Sequence, residues 1–152
     1  MERAVLAQVE LRIPRQAEFV RVARLAACAL AHQLGFTLDI VEDIKLAVGE
    51  ACTNAVEHAL LQPSGPGSGL APAGDDIIVR FLTHPDQLTV EVLDRGQGFD
   101  PDRAEDLAPD EDTIGGLGLM VIRQIMDEVH IECRPDTGTC VRMTKYRARK
   151  LA

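Results

Sequence analysis

Long apolar runs are missing from this 152-residue chain. No stretch reaches the length that spans a bilayer, and the N-terminus lacks the charged start and apolar block of a signal peptide. A cytoplasmic location, with no membrane association, is therefore expected. Basic residues are also scarce. Against 24 Asp and Glu stand 16 Lys and Arg, giving a formal charge of −8, which argues against nucleic acid, whose phosphates reward clustered cations. Protein partners fit such a surface better. The short basic end, Lys145, Arg147, Arg149 and Lys150, has no interleaved aromatics and reads as a solvated tail. The 4 cysteines never show Cys-x-x-Cys spacing. Cys28 and Cys52 fall in apolar helical patterns, whereas Cys133 and Cys140 flank the turn Pro135-Asp136-Thr137-Gly138 and could lie opposite each other in a hairpin; reduced, packed thiols are the expected state. The length suits one domain over residues 1–152 with a single core.

What is present is concentrated in three segments. In the first, Lys45 to Ala59, a helical pattern carries Glu50, Asn54 and His58 at a spacing of four. Each step of four drifts only about 40° around a helix, so these side chains form one polar stripe beside an apolar face of Leu46, Ala47, Ala51 and Ala55. In the second, an alternating strand over Leu88 to Leu93 ends at Asp94 and breaks into Arg95-Gly96-Gln97-Gly98. Gly96 and Gly98 let the backbone turn and let a flat ligand approach, and Asp94 can accept a hydrogen bond from an amino group. In the third, Gly115, Gly116 and Gly118 lead into a helix whose apolar face is Leu119, Ile122, Ile125 and Met126. Backbone N–H groups at a helix start lack intrahelical partners and attract phosphate oxygens. The spacing is not the phosphate-loop pattern, since no Lys-Ser or Lys-Thr follows these glycines, nor is it the dinucleotide fingerprint with its later acidic residue, so a different nucleotide fold is needed.

In this order the three segments resemble the N, G1 and G2 boxes of the Bergerat-fold ATPases, the superfamily of gyrase, Hsp90, histidine kinases and MutL. A narrower resemblance rests on Glu50-Ala51-Cys52-Thr53-Asn54-Ala55-Val56-Glu57-His58-Ala59, on Gly115-Gly116-Leu117-Gly118-Leu119, and on Met126-Asp127-Glu128-Val129. These are similar to the anti-sigma-factor serine/threonine protein kinases of the RsbW kind, and Leu11 to Pro14 with Leu34 to Ala55 extends the likeness over nearly the whole chain. A full sensor histidine kinase is too long for this sequence, and His32 has no dimerisation hairpin that would make it a phosphoacceptor.

The resemblance implies ATP and Mg²⁺ as ligands, with Asn54 contributing a carboxamide oxygen to the metal and Glu50 accepting a proton from, or orienting, an attacking hydroxyl. It implies that Asp94 reads the adenine amino group, that Gly96 and Gly98 admit the base, and that Thr139 lies near the adenine and its water. Gly115, Gly116 and Gly118 would present N–H groups to the phosphates, with Leu119 closing that box. His58 is expected to support or pack, Glu57 to back the metal site, and Lys45 and Arg123 to be helix-surface charges. The implied partners are a sigma factor, which the protein would sequester as a regulator of transcription, and an anti-anti-sigma protein of the STAS type carrying the phosphoacceptor serine. A homodimer through the first strand and helix is also implied. Two other functions remain open: a nucleotide-responsive binding module without kinase activity, and a stand-alone ATPase.

The elements are expected in the following order. A strand over Val5 to Ile13 precedes a helix from about Arg15 to Leu34, ended by Gly35, and a second helix from Thr37 or Asp39 to about Leu61. A flexible Gly/Pro/Ser-rich loop at 62–76 follows, longer than the resemblance would imply. Strands over Asp76 to Leu82 and Gln87 to Leu93 flank the turn Thr83-His84-Pro85-Asp86, and a final pair covers Val129 to Cys133 and Thr139 to Tyr146. The acidic segment at about 100–114 takes the place of an ATP lid, with Arg103 as its candidate phosphate contact. The expected fold is α+β, a two-layer sandwich with helices on one face of a mixed, mostly antiparallel sheet.

Overall fold

Alternation of period two sorts the strand residues onto two faces of one sheet. The computed structural model describes residues 4–61, 76–94, 114–134 and 138–147. Strand β1 (Ala7–Ile13) leads through a 3₁₀ turn (Ala17–Phe19) to α1 (Val20–Gln33) and α2 (Leu38–Leu61). Then come β2 (Ile77–His84), β3 (Gln87–Asp94), α3 (Ile114–Ile125), β4 (Glu128–Arg134) and β5 (Gly138–Tyr146). The strands lie in the order β1-β2-β3-β5-β4, and each neighbouring pair is antiparallel. The helices cover one face, giving the expected two-layer α+β sandwich. No helix among the described residues is long and apolar enough to cross a membrane.

The covered face is apolar because every second residue supplies it. Ile77, Val79 and Phe81 of β2, Leu88, Val90 and Val92 of β3, and Met143 of β5 are buried in one cluster with the helices. Burying a side chain such as Phe81 contributes about 1.5–3 kcal/mol. From the helix side, α1 contributes Val20, Ala23, Ala27 and Ala31, and α2 contributes Ile44, Ala47, Val48, Ala51, Cys52 and Ala55. So many alanines let the two helix backbones approach closely. Where they do, the Arg24 side chain crosses Gly49, and a Cβ on that glycine would meet Arg24 Cδ at 3.0 Å.

Several local expectations are revised. Helix α1 starts at Val20 rather than near Arg15, since Gln16 is extended and its N–H donates to the Pro14 carbonyl at 2.8 Å. Gly35, with φ of 81°, takes the left-handed conformation that ends the helix. Strand β2 continues through Thr83 and His84, leaving only Pro85 and Asp86 for the turn. The basic end is not wholly a solvated tail. Lys145 Nζ donates to the Ile125 carbonyl at 2.5 Å and pairs with Asp127, and Arg147 Nη1 donates to the Leu34 carbonyl at 3.0 Å. Both cations therefore close the C-terminal ends of helices, where orphan carbonyls and the helix dipole favour positive charge. Cys133 and Cys140 are not opposite each other either: the register pairs Cys133 with Thr139 and Cys140 with Glu132. A one-residue offset in the hairpin accounts for the difference. Cys28, Cys52 and Cys140 are free thiols.

Candidate nucleotide site

Two constellations carry the polar residues that the sequence singled out. The first lies where α3 crosses α2. The stripe on α2 points at α3, because a Cβ placed on Gly118 would lie 2.8 Å from Glu50 Oε2 and 3.2 and 3.3 Å from Asn54 Nδ2 and Oδ1. Any other residue at 118 must push the Glu50 carboxylate aside. The glycine is thus required by a close approach rather than by a turn, and it lies inside the helix with Gly115 and Gly116 rather than ahead of it. Asn54 is only 8% exposed, Glu50 is half-buried, and Leu119 packs partly against the core.

The second constellation is at the sheet's edge of the core. Leu88, Val90 and Val92 form the helix-facing row of β3, and Asp94 is the next residue in that row. Thr139 of β5 is its direct register partner, so the two residues expected near a base share one spot on adjacent strands. Arg15, just past β1, reaches across and donates from Nη2 to Asp94 Oδ1, with side chains 3% and 9% exposed. Removing one partner of such a buried pair costs about 3–5 kcal/mol, while one hydrogen bond to a charged group is worth about 1.5–3 kcal/mol.

Gly96, Gly98, the lid region with Arg103 and most of the 62–76 loop lie outside the described residues, as does the His58 side chain. Two arginines escaped the sequence reading. Nothing local marks Arg15, whose partner is 79 residues away. For Arg24 a signal existed in Gly49, a glycine in the middle of a core helix, which tends to mark a close packing neighbour. The buried Nε of Arg24 lacks a hydrogen-bond partner. Burial pushes the nearby Cys52 thiol up to about 12, with Arg24 pulling the other way, so this sulfur stays protonated at neutral pH. The Cys140 thiol is raised too, by burial and then by Glu91 and Glu132.

The family described as histidine kinase-like ATPase domain matches residues 13–145. The chain belongs to this ATPase family. Within it, the chain is 38% identical to the serine-protein kinase RsbW of Bacillus subtilis over 146 residues, covering 91% of this chain and 84% of that protein. It is 39% identical to RsbW of Halalkalibacterium halodurans over 146 residues, covering 91% and 82%, and 37% identical to RsbW of Listeria monocytogenes over 147 residues, covering 91% and 87%. It is therefore an RsbW-type member of the family. The fold also recurs in the RsbU and RsbW domains of a Mycobacterium tuberculosis protein, at TM-score 0.63 and 19% identity, covering 96% of this chain and 34% of that one. It recurs as well in the SiaB–SiaC complex of Pseudomonas aeruginosa, at TM-score 0.58 and 15% identity, covering 93% and 90%.

The donor set of this ATPase domain suits a magnesium nucleotide. Asn54 carries a neutral carboxamide oxygen of the kind a hard cation accepts beside phosphate and water ligands. Gly118 keeps the space beside Asn54 and Glu50 clear of a side chain, and Asp94 supplies an acceptor at the strand end.

Proposed function

We infer that the chain is an ATP-dependent protein-serine kinase that acts as an anti-sigma factor in the cytoplasm, phosphorylating an anti-anti-sigma partner and sequestering a sigma factor. The observation that carries the kinase reading is the seat of Gly118 against Glu50 and Asn54, which leaves a carboxylate and a carboxamide together at a helix crossing built around the glycine box. ATP supplies the phosphoryl group, and Mg²⁺ neutralises charge on its phosphates. Asn54 would hold the metal. Glu50 would take the proton that a serine hydroxyl of the partner loses as its oxygen bonds to the γ-phosphorus and ADP leaves with the electrons of the broken bond. Asp94 and Thr139 would receive the base, and the unpaired backbone N–H groups of Gly115 and Gly116 in the first turn of α3 would receive the phosphates, with Gly118 and Leu119 in the next turn completing the box by close packing rather than by an N–H. In this reading Gly96 and Gly98 admit the base and the segment at 100–114 is the lid.

The names of the RsbW relatives, serine-protein kinases, support the acceptor chemistry. A homodimer is supported by the position of β1 at an edge of the sheet and by the exposed Val5, Leu6, Val22 and Leu25 around it and α1. The test is transfer of radiolabelled phosphate from ATP in the presence of Mg²⁺ to candidate anti-anti-sigma proteins, with Glu50→Gln alongside. Glu50→Gln should bind ATP as the wild type does and lose transfer by about 10²-fold or more, because the amide keeps the shape but not the proton acceptor. Equal rates would refute the assigned base. ATP binding with no label on any partner would favour a binding module that responds to nucleotide.

A further inference from the structure

The Arg15–Asp94 pair is not needed to build the sheet, whose ladders are complete without it, and it joins the second residue after β1 to the very carboxylate expected to read the base. We propose that Arg15 is a positioning residue for base selection: its guanidinium fixes the Asp94 carboxylate as a hydrogen-bond acceptor and so makes the site prefer a 6-amino purine to a 6-oxo purine. The proposal deepens the reading of Asp94 given above and rests on it.

Charge and valence set the preference. A carboxylate paired with a guanidinium accepts hydrogen bonds and donates none, and its roughly four acceptor positions exceed the two that even a full guanidinium fork takes. A 6-amino group presents the donor that such an acceptor wants, whereas a 6-oxo group presents another acceptor and is repelled. The pair is also too costly to break for a base to displace Arg15, since a lone buried charge outweighs one hydrogen bond from a neutral amino group. The base therefore joins the pair instead of competing with it. Thr139, opposite Asp94 in the register, marks the same spot on the neighbouring strand. A merely structural pair would support the fold and leave base preference untouched.

The experiment is calorimetric titration of the purified chain with Mg·ATP and with Mg·ITP, whose base carries a 6-oxo group, for wild type, Arg15→Gln, Arg15→Lys and Asp94→Asn. Wild type should prefer ATP by about tenfold or more. Arg15→Gln should weaken ATP binding about tenfold and ITP binding much less, shrinking the preference at least threefold, and Arg15→Lys, which keeps the charge but not the fork, should recover part of it. Melting curves accompany each titration. If Arg15→Gln does not fold, the double variant Arg15→Gln/Asp94→Asn removes the pair without stranding a charge, and Arg15→Lys still reads the ratio. A preference unchanged in Arg15→Lys and Arg15→Gln but abolished in Asp94→Asn overturns the role of Arg15 and leaves Asp94 as the base reader. A preference unchanged in Asp94→Asn overturns the reading of Asp94 and the proposal with it. Tighter ATP binding in Arg15→Gln would show that the arginine competes with the base, and would overturn it as well.

Discussion

Phe81 and Arg80 are neighbours on β2, yet they inhabit the two faces of the sheet under opposite rules. In the helix-facing row of β3, charge is absent until the last residue, Asp94, which is buried and paired with Arg15. On the bare face, the register lines up Glu10, Arg80, Glu91, Arg142 and His130 across all five strands, a ladder of mostly alternating charge. Arg80 there contacts Glu10 at 3.3 Å and Glu91 at 3.4 Å. Both faces contain ion pairs, but only the buried one is expensive to disturb. Charge alone therefore does not set Asp94 apart in this molecule; its burial together with its arginine partner does.

The contrast can be broken most forcefully at Phe81. Phe81→Ala should lower unfolding free energy by about 3–5 kcal/mol in denaturant titration, since the side chain is fully buried. Gly118→Ala probes the helix crossing. Alanine gains up to about 1 kcal/mol of helix propensity over glycine, which offsets the contact with the flexible end of Glu50. Melting temperature should change little while phosphate transfer falls about tenfold, and full activity would remove Glu50 from the crossing. A smaller, pH-dependent effect belongs to Cys52. Burial pushes its folded thiol up to about 12 from an ordinary 9.0, so its stabilising contribution is whole below about pH 9 and is lost as pH rises toward 12. The slope of stability against pH above 9 should therefore be shallower in Cys52→Ala, by up to about 1.4 kcal/mol per pH unit. The smallest effect is expected on the bare face, where Arg80→Ala should cost less than about 1 kcal/mol, shrinking further in high salt.

Much of this architecture was legible because its signals are local. The spacing of Glu50 and Asn54, the alternation before Asp94 and the apolar period after Gly118 depend only on helix and strand geometry, and the structure places those residues at the α2–α3 crossing and at the end of the β3 row. What escaped depends on distant partners. Arg15 reads as a helix start until Asp94 claims its side chain, and Lys145 and Arg147 read as a tail until the ends of α3 and α1 arrive beside them. The hairpin of β4 and β5 shows the same limit on a smaller scale, since one residue of register separates facing cysteines from the observed Glu132–Cys140 pairing.

The place of β5 between β3 and β4 bears on how the chain matures during synthesis. Among the described residues strand β4 has no other neighbour in the sheet, so it stays unpaired until β5 has left the ribosome, and the same late segment delivers the cations that close α1 and α3. A nascent chain stalled before residue 138 thus exposes the edge of β3 and leaves Asp94 without Thr139, its register partner. The pairing of Asp94 with Thr139, in this topology, waits for a strand made after every other strand of the sheet.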